Sequence, residues 1–309
     1  MKKSPAPSFS ANKSRRSLKE YAVISAKGFC MGAADVVPGV SGGTMAFILG
    51  IYRELLDSIR SFDAPLLGLV LKRRFGEALQ RARWEFLLAL GMGIIAAILT
   101  LAKGISWMLA NQPVLIWSFF FGLVLSSAYT VSRHLEKMTP SLVLFLVGGG
   151  VFTFFLVGMV PAQTPETWWF LFASGALAIC AMILPGISGS FILVLLGKYE
   201  FILNAVNQRD ILTIVFVGAG AAVGIVSFVR VLSWLFSRWH DIIIAVLTGF
   251  MLGSLRRVWP WKDGNGGNLL PASLDAEFFS AAGLMLLGIA LVLALTWAEG
   301  RKNRVDFSD

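Results

Sequence analysis

Long runs of apolar residues, separated by short polar segments, fill most of this chain. Five of these runs approach or reach the roughly 20 residues that a helix needs to cross a hydrocarbon core about 30 Å thick. Glu85, at the end of one run, is the only charged residue in them. The five runs are 84–102, 113–132, 140–160, 211–229 and 278–298. This pattern predicts an all-α polytopic membrane protein.

Two further apolar segments contain residues that interrupt helices. Pro-Gly-Val-Ser-Gly at 38–42 recurs as Pro-Gly-Ile-Ser-Gly at 185–189. Leu-Gly-Ile-Tyr at 49–52 recurs as Leu-Gly-Lys-Tyr at 196–199, with the same offset of 147 residues. Two matches in one register indicate an internal duplication.

A weaker match later in the chain extends this duplication. Residues 122–127 (GLVLSS) resemble residues 249–254 (GFMLGS), at an offset of 127. A longer polar loop after the first motif accounts for the difference between the two offsets. The chain therefore divides into a first repeat, 20–165, and a second repeat, 166–300.

The basic residues predict how the first repeat is oriented, because cytoplasmic loops are enriched in lysine and arginine. The polar tail 1–19 and the loop 61–83 are both basic, so both are predicted to be cytoplasmic and the tail to be disordered. The segment between them, 21–60, must then enter and leave the membrane on the same side. It is predicted to be a re-entrant helical hairpin whose second helix runs from 44 to 59.

Three spans follow the first hairpin, and this odd number of crossings inverts the second repeat. The second repeat begins with its own hairpin, 168–204, and continues with three spans, the middle one short. The tail 301–309 then lies on the same side as the first tail, so both termini are predicted to be cytoplasmic. The predicted fold is two inverted-topology repeats, each made of a re-entrant hairpin and three transmembrane helices.

The tips of the two hairpins are the predicted binding site. Irregular backbone at membrane depth is tolerated where protein or a watery cavity covers it, and in inverted-repeat transporters it marks the substrate site. Each tip would aim a helix N-terminus, with its free amides and partial positive charge, at a compact anion such as phosphate. The alternative is that the Pro-Gly pairs only kink two ordinary spanning helices. The predicted tip residues are Pro38, Gly39, Pro185 and Gly186, and the predicted phosphate-binding residues are Ser41, Gly42, Gly43, Thr44, Ser188, Gly189, Ser190, Arg256 and Arg257.

Arg256 and Arg257 belong to this set because they follow the short span. The apolar segment 242–255 is only about 21 Å long as a helix, less than a hydrocarbon core requires. The arginines either face a cavity, where a guanidinium suits phosphate, or snorkel to the interface. In the first case, Arg256→Ala or Arg257→Ala is expected to abolish transport. Arg256, Arg257 and Lys262 also make the predicted outer loop basic, contrary to the rule that basic residues concentrate in cytoplasmic loops.

Asp35 lies three residues before the first tip and breaks the symmetry, because the matching residue of the second repeat is Met182. An acid here would carry a coupling proton or organise the tip by accepting hydrogen bonds from loop amides, and the sequence leaves both roles open. Other ionisable residues near the hairpin arms are expected to be interfacial or paired. They are Lys27, Arg53, Glu54, Lys198 and Glu200.

Composition narrows the function classes. The net charge of +9 fits basic cytoplasmic loops better than nucleic-acid binding. Two cysteines and two histidines at span ends form no ligand cluster, so no metal or cofactor is predicted. A lipid phosphatase would need such groups, so the chain is predicted to be a transporter, not an enzyme. A transporter or channel for a small soluble anion is the alternative, and the oligomeric state stays open.

Three stretches of the sequence resemble the bacterial polyprenyl-phosphate transporter family. They are 27–56 (KGFCMGAADVVPGVSGGTMAFILGIYRELL), 181–203 (AMILPGISGSFILVLLGKYEFIL) and 249–261 (GFMLGSLRRVWPW). The resemblance covers about residues 20–300. It implies that the protein is a flippase that returns the carrier lipid undecaprenyl phosphate from the outer to the inner leaflet of the bacterial cytoplasmic membrane. The family motif positions it implies are Asp35, 38–44, 185–190 and 254–261. The prenyl chain follows from the resemblance alone.

Overall fold

A computed structural model describes residues 16–37, 40–135, 137–264 and 266–305, and these residues form fourteen helices. The first half contains α1 Leu18–Asp35, α2 Gly42–Ile48, α3 Tyr52–Arg60, α4 Ala64–Leu71, α5 Phe75–Arg81, α6 Trp84–Asn111, α7 Pro113–Ser132 and α8 Pro140–Leu156. The second half contains α9 Trp168–Ile183, α10 Gly189–Leu195, α11 Tyr199–Gln208, α12 Ile211–Arg238, α13 His240–Ser254 and α14 Ala276–Val305.

The lengths and composition of these helices fit a multi-pass membrane protein, as the apolar runs predict. Four helices, α6, α7, α12 and α14, are long and apolar enough to cross a bilayer. α8, α9 and α13 are apolar but shorter, and α8 ends four residues before the predicted run does. α6 and α12 continue nine residues beyond their predicted runs, to Asn111 and Arg238.

The ends of the chain differ from the predicted tails at their boundaries. α1 begins at Leu18, two residues before the predicted start of the first repeat at residue 20, because Ser17 and Glu20 form a capping box there. α14 continues to Val305, so the predicted tail is helical over its first five residues. Residues 1–15 and 306–309 lie outside the described residues.

The second arm of the first hairpin is not the single continuous helix that was predicted, and the matching arm of the second hairpin is broken in the same way. In the first repeat, the expected helix 44–59 is two helices, α2 and α3, separated at Gly50 (φ 66°). In the second repeat, α10 and α11 are separated at Gly197 (φ 62°) and bend by 103°. A left-handed backbone ends an α-helix, and glycine adopts it without a Cβ clash. The repeated Leu-Gly-x-Tyr sequence therefore marks a helix break that occurs in both halves of the chain.

Close helix packing recurs at matching positions in the two halves. α1 packs on α6 so tightly that a Cβ on Gly28 would lie 2.1 Å from the Leu90 carbonyl oxygen. α9 packs on α12 in the same way, where a Cβ on Gly175 would lie 2.1 Å from the Val217 carbonyl oxygen. The two contacts are related by the offsets of 147 and 127 found in the sequence. Small residues at such crossings let membrane helices approach each other.

Two further helix pairs join the halves to each other. α7 packs on α14 with Gly122 against the Met285 carbonyl, and α8 packs on α13 with Gly249 against the Leu146 carbonyl. Gly122 and Gly249 are again 127 residues apart. The fold is thus an interlocked bundle, with the hairpin segments α1–α3 and α9–α11 meeting inside it.

Candidate functional site

The two predicted hairpin tips are in direct contact. The Ser41 hydroxyl lies 3.0 Å from the Leu184 carbonyl oxygen and 3.2 Å from that of Met182. In return, the backbone N–H of Gly186 donates to the Thr44 hydroxyl at 3.1 Å. Ser41 and Thr44 are each only 1% exposed. These two predicted phosphate ligands therefore join the tips.

Gly43 makes the contact between the tips possible. A Cβ at this position would lie 2.3 Å from the Ile183 carbonyl oxygen, closer than real Cβ contacts allow. The Tyr52 hydroxyl donates to the same carbonyl oxygen at 3.3 Å. The start of α2 is consequently pressed against the end of α9 with no room for a side chain.

The amides at the start of the first tip's helix are engaged by neighbouring side chains. The Asp35 carboxylate accepts from the Gly42 N–H at 2.7 Å, and the Ser41 hydroxyl accepts from the Gly43 N–H at 3.1 Å. Asp35 thus has the tip-organising geometry that was one of its two predicted roles. Pro38 and Gly39 lie outside the described residues.

The second tip has the same motif but lacks these caps. Met182 replaces Asp35, and in the described structure no side chain accepts a hydrogen bond from the first amides of α10. The Ser188 hydroxyl instead lies 2.8 Å from the Ser190 hydroxyl. Pro185 and Gly186 are buried, and Gly186 (φ 88°) packs against the backbone of α13 at Met251. The first amides of α10 are therefore less engaged by side chains than those of α2.

Arg257 lies beside this second tip. Its guanidinium carbon is 5.4 Å from the centre of the Phe191 ring, in the first turn of α10. The side chain is half-buried, which lowers its pKa, and its Nε is fully buried without a hydrogen-bond partner. A buried N–H donor without a partner costs about 1–3 kcal/mol. Arg257 therefore presents an unused cationic donor at the tip.

Lys262 is a second cation beside Arg257, and it was not among the predicted phosphate-binding residues. An isolated bridge to Asn268 folds the loop after α13, and the Lys262 ammonium donates to the Arg257 carbonyl oxygen at 2.5 Å. The same ammonium lies 5.2 Å from the Trp117 ring centre. Burial and the nearby charge of Arg257 lower the pKa of Lys262 to about 8. The only sequence signal was its position in an unexpectedly basic outer loop.

Arg256 occupies a different environment from Arg257. Its guanidinium donates to the Phe154 carbonyl oxygen at 2.9 Å and lies 4.4 Å from the Phe154 ring centre. It therefore contacts α8 at the side of the bundle. Although the two arginines are adjacent in sequence, the structure brings only Arg257 to the second tip.

Other charged groups near the hairpins are paired, as predicted for them. Lys198 is 2% exposed and donates to the Thr164 carbonyl oxygen at 2.7 Å, and Lys27 donates to that of Leu49 at 2.7 Å. Glu54 pairs with Arg16. Among the described residues, no group of three or more histidine, cysteine, aspartate or glutamate side chains is arranged to hold a metal.

Comparison with known proteins agrees with the motifs. Residues 31–268 match the family described as undecaprenyl phosphate translocase-like. A polyprenyl-phosphate transporter of Vibrio cholerae is 43% identical over 291 residues, covering 87% of this chain and 94% of that protein. A polyprenyl-phosphate transporter of Staphylococcus aureus is 27% identical over 288 residues, covering 87% and 93%. No solved structure matches this chain.

The family match, 31–268, includes the first stretch from residue 31 onward, the other two stretches that carry the resemblance and the Arg257–Lys262 loop. The matches confirm the family inferred from the sequence motifs, and the relatives are named as transporters rather than enzymes. The chain belongs to the undecaprenyl phosphate translocase-like family.

Proposed function

We propose that this protein is a flippase for polyprenyl phosphate, with undecaprenyl phosphate as the expected lipid, and that Arg257 and Lys262 bind the phosphate beside the second tip. The observation that carries the proposal is the unpaired, buried Nε of Arg257 next to a second half-buried cation. Neither cation forms an ion pair with a carboxylate in the part of the chain that the structure describes. Two uncompensated cations inside a membrane protein favour an anionic ligand.

The chemistry of the second tip fits a phosphate. A guanidinium offers two parallel N–H donors, an ammonium adds a compact charge, and the second tip also carries the hydroxyl groups of Ser188 and Ser190. Gly189 is buried, and because it has no side chain the start of α10 can pack closely on α9, where an added Cβ would lie 2.5 Å from the Ala178 carbonyl oxygen. The predicted residues of the first tip, Ser41 to Thr44, have a supporting role in this proposal, since they hold the second tip in position.

The repeated helix contacts support two inverted-topology repeats with re-entrant hairpins. An inverted pair can expose one central site to either side of a membrane by rocking one repeat against the other. The phosphate would cross within the protein, because an unpaired charge in hydrocarbon costs tens of kcal/mol by Born solvation. The prenyl chain would remain in the lipid throughout. Asp35 could also carry a coupling proton.

We further propose that transport runs from the outer to the inner leaflet of the bacterial cytoplasmic membrane. This follows from the family resemblance and from the basic loop 61–83, which the charge rule assigns to the cytoplasm together with both termini. The Arg257–Lys262 loop then lies on the outer side, where the lipid would be captured.

A reconstituted flipping assay tests this function. Proteoliposomes would be loaded with a fluorescent polyprenyl phosphate, and an impermeant quencher would report its movement between leaflets. Protein-dependent flipping that is lost in Arg257→Ala supports the proposal. Flipping no faster than in empty liposomes, or uptake of inorganic phosphate without lipid movement, would overturn it. Release of phosphate from the lipid would instead indicate an enzyme.

A further inference from the structure

An apolar groove opens on the lipid-facing side of the bundle between α8 and α13. Its volume is about 340 Å³, and its lining includes Val147, Gly150 and Phe154 from α8 and Leu252 and Gly253 from α13. Ligand pockets have volumes of about 300–1,000 Å³, so the groove can hold only a small part of a long lipid. We call it groove 1.

A second groove lies between α7 and α14, the helices that match α13 and α8 in the duplication, so each groove combines one helix from each repeat. It has a volume of about 200 Å³ and is lined by Leu125, Ser126, Tyr129, Ile289 and Leu293. We call it groove 2. The two grooves are thus a repeated feature of the fold rather than two unrelated surface defects.

The correspondence holds residue by residue. Leu125 and Ser126 match Leu252 and Gly253 at the offset of 127 residues. The matching glycine contacts, Gly122 on Met285 and Gly249 on Leu146, relate α14 to α8 at an offset of 139 residues, and at that offset Ile289 of groove 2 takes the place of Gly150 in groove 1. Groove 2 is narrower at the point where an isoleucine side chain replaces a glycine.

The two grooves lie at opposite ends of the bundle. Groove 1 includes the last residues of α13, and the segment that follows α13 contacts the first half of α7, where Trp259 packs on Phe121 (5.3 Å between ring centres). Groove 2 lies in the second half of α7, at Leu125 to Tyr129. If α7 crosses the membrane, the grooves face opposite leaflets.

The charge at the two grooves differs. Arg256 lies against Phe154, a lining residue of groove 1, at 4.4 Å from its ring centre. The matching position at groove 2 is Tyr129, which is neutral. Arg256 thus places a cation at groove 1, and the next residue in the chain, Arg257, belongs to the proposed phosphate site. Groove 1 therefore combines an apolar channel with a cation at its end, as an amphipathic anionic lipid requires.

We propose that groove 1 holds the phosphate-proximal part of the prenyl chain when the lipid is captured, and that groove 2 is the matching exit on the other leaflet. This inference rests on the proposed function and adds the path of the lipid tail. Arg256 attracts the phosphate to groove 1, and Arg257 and Lys262 then bind it. Groove 2 lacks a matching cation, so it releases the phosphate more readily than groove 1.

Photo-crosslinking tests the groove in the intact protein. The probe is a polyprenyl phosphate with a diazirine in the prenyl unit next to the phosphate, reconstituted with the protein in liposomes. Mass spectrometry is expected to find labelling concentrated on the groove 1 segments, 146–155 and 252–253. Excess unlabelled polyprenyl phosphate should remove this labelling, and the corresponding prenol without phosphate should not. Labelling spread evenly over the lipid-facing helices, or unaffected by competitor, would overturn the inference.

A matched pair of variants tests the consequence for transport. Gly150→Ile gives groove 1 the residue that groove 2 has, and a Cβ there makes only ordinary contacts, the nearest at 3.5 Å. Gly148→Ile adds the same side chain to the same helix where nothing lies within 4 Å of the added Cβ. We expect Gly150→Ile to lower flipping and groove 1 labelling by about ten-fold or more, and Gly148→Ile to leave both unchanged.

The outcomes separate this inference from the proposed function. If the wild-type protein flips the lipid but the two glycine variants behave alike, the groove inference is wrong and the flippase function stands. If the wild-type protein does not flip the lipid, both are wrong. The labelling pattern of the wild-type protein decides the matter even if Gly150→Ile does not fold.

Discussion

Replacing Arg257 is the sharpest test of the proposed phosphate site. The side chain is half-buried beside Phe191, with its Nε unpaired. A phosphate that accepts two N–H donors from it would gain two charge-assisted hydrogen bonds, each worth about 1.5–3 kcal/mol. Because the two bonds share one side chain, we take roughly 3–4 kcal/mol as the loss in Arg257→Ala. This corresponds to roughly a 100- to 1,000-fold loss of affinity.

The same substitution has an opposite expected effect on stability. A buried donor and charge without a partner destabilise the folded protein, so their removal costs little or increases stability. We expect Arg257→Ala to keep or raise the melting temperature in detergent while it loses lipid binding. Arg257→Lys keeps the charge and loses the fork of donors, so its affinity should lie between those of the wild type and Arg257→Ala.

The assay is binding of a short-chain, water-soluble prenyl phosphate to the purified protein, with flipping measured in parallel. Arg256→Ala is the matched control, because it removes the same charge from the adjacent residue, whose guanidinium is held by Phe154. We expect it to lower affinity by no more than about ten-fold, through loss of long-range attraction. Equal losses in the two variants, or a clear loss of stability in Arg257→Ala, would refute the reasoning.

Three further predictions follow from the same structure. The pKa of Lys262 is lowered to about 8, so the free protein loses this charge as the pH rises through about 8. Phosphate affinity of the wild type should therefore fall between about pH 7 and about pH 9. Lys262→Arg stays charged over this range, so its affinity should not fall. A fall of the same size in both proteins would contradict this prediction. Gly43→Ala would push a Cβ against the Ile183 carbonyl and should cost about 1–3 kcal/mol of stability, whereas Gly148→Ala should cost almost nothing, as measured by thermal unfolding. Asp35→Ala should also lower the free energy of unfolding by about 1.5–3 kcal/mol, because it removes the acceptor for the Gly42 N–H. Asp35→Asn keeps an acceptor and should lose less stability. If Asp35→Asn also retains full proton-dependent transport, Asp35 is not a proton carrier.

The sequence predicted the apolar helices well, because spans depend on local composition. Apolar runs specify spans directly, and repeated packing needs small residues at repeated positions. Gly28 and Gly175, at matching positions of the duplication, each press against a carbonyl oxygen at the same distance. The break at Gly50 and Gly197 was visible only as a repeated glycine. Composition gave no sign that these glycines adopt a left-handed conformation, so residues 44–59 were predicted to form one continuous helix.

The site was harder to predict, because its residues are distant in sequence and their orientation depends on packing. Arg256 and Arg257 are neighbours that point to different helices, and no single-residue property distinguishes them. Lys262 reaches the same place because the loop after α13 folds back on itself, and the bridge that folds it carries no sequence signature. The only sequence signal was the basic charge of a loop predicted to lie on the outer side. It indicated the region of the site but did not show which of its basic residues bind the ligand.

The duplicated motif by itself suggests two equal anion sites, but a single substitution between the repeats makes them unequal. Asp35 places a carboxylate on the first amide of α2, which satisfies that amide and repels an incoming phosphate. Met182 does neither, so α10 keeps its amides and its partial positive charge for a ligand, and Arg257 adds to that charge. In a transporter made of two inverted repeats, symmetry of the backbone provides two equivalent conformations, one open to each side. In our proposal, asymmetry of the side chains gives the phosphate one binding place in both conformations, and a single place is needed if one substrate is to be handed from one side to the other.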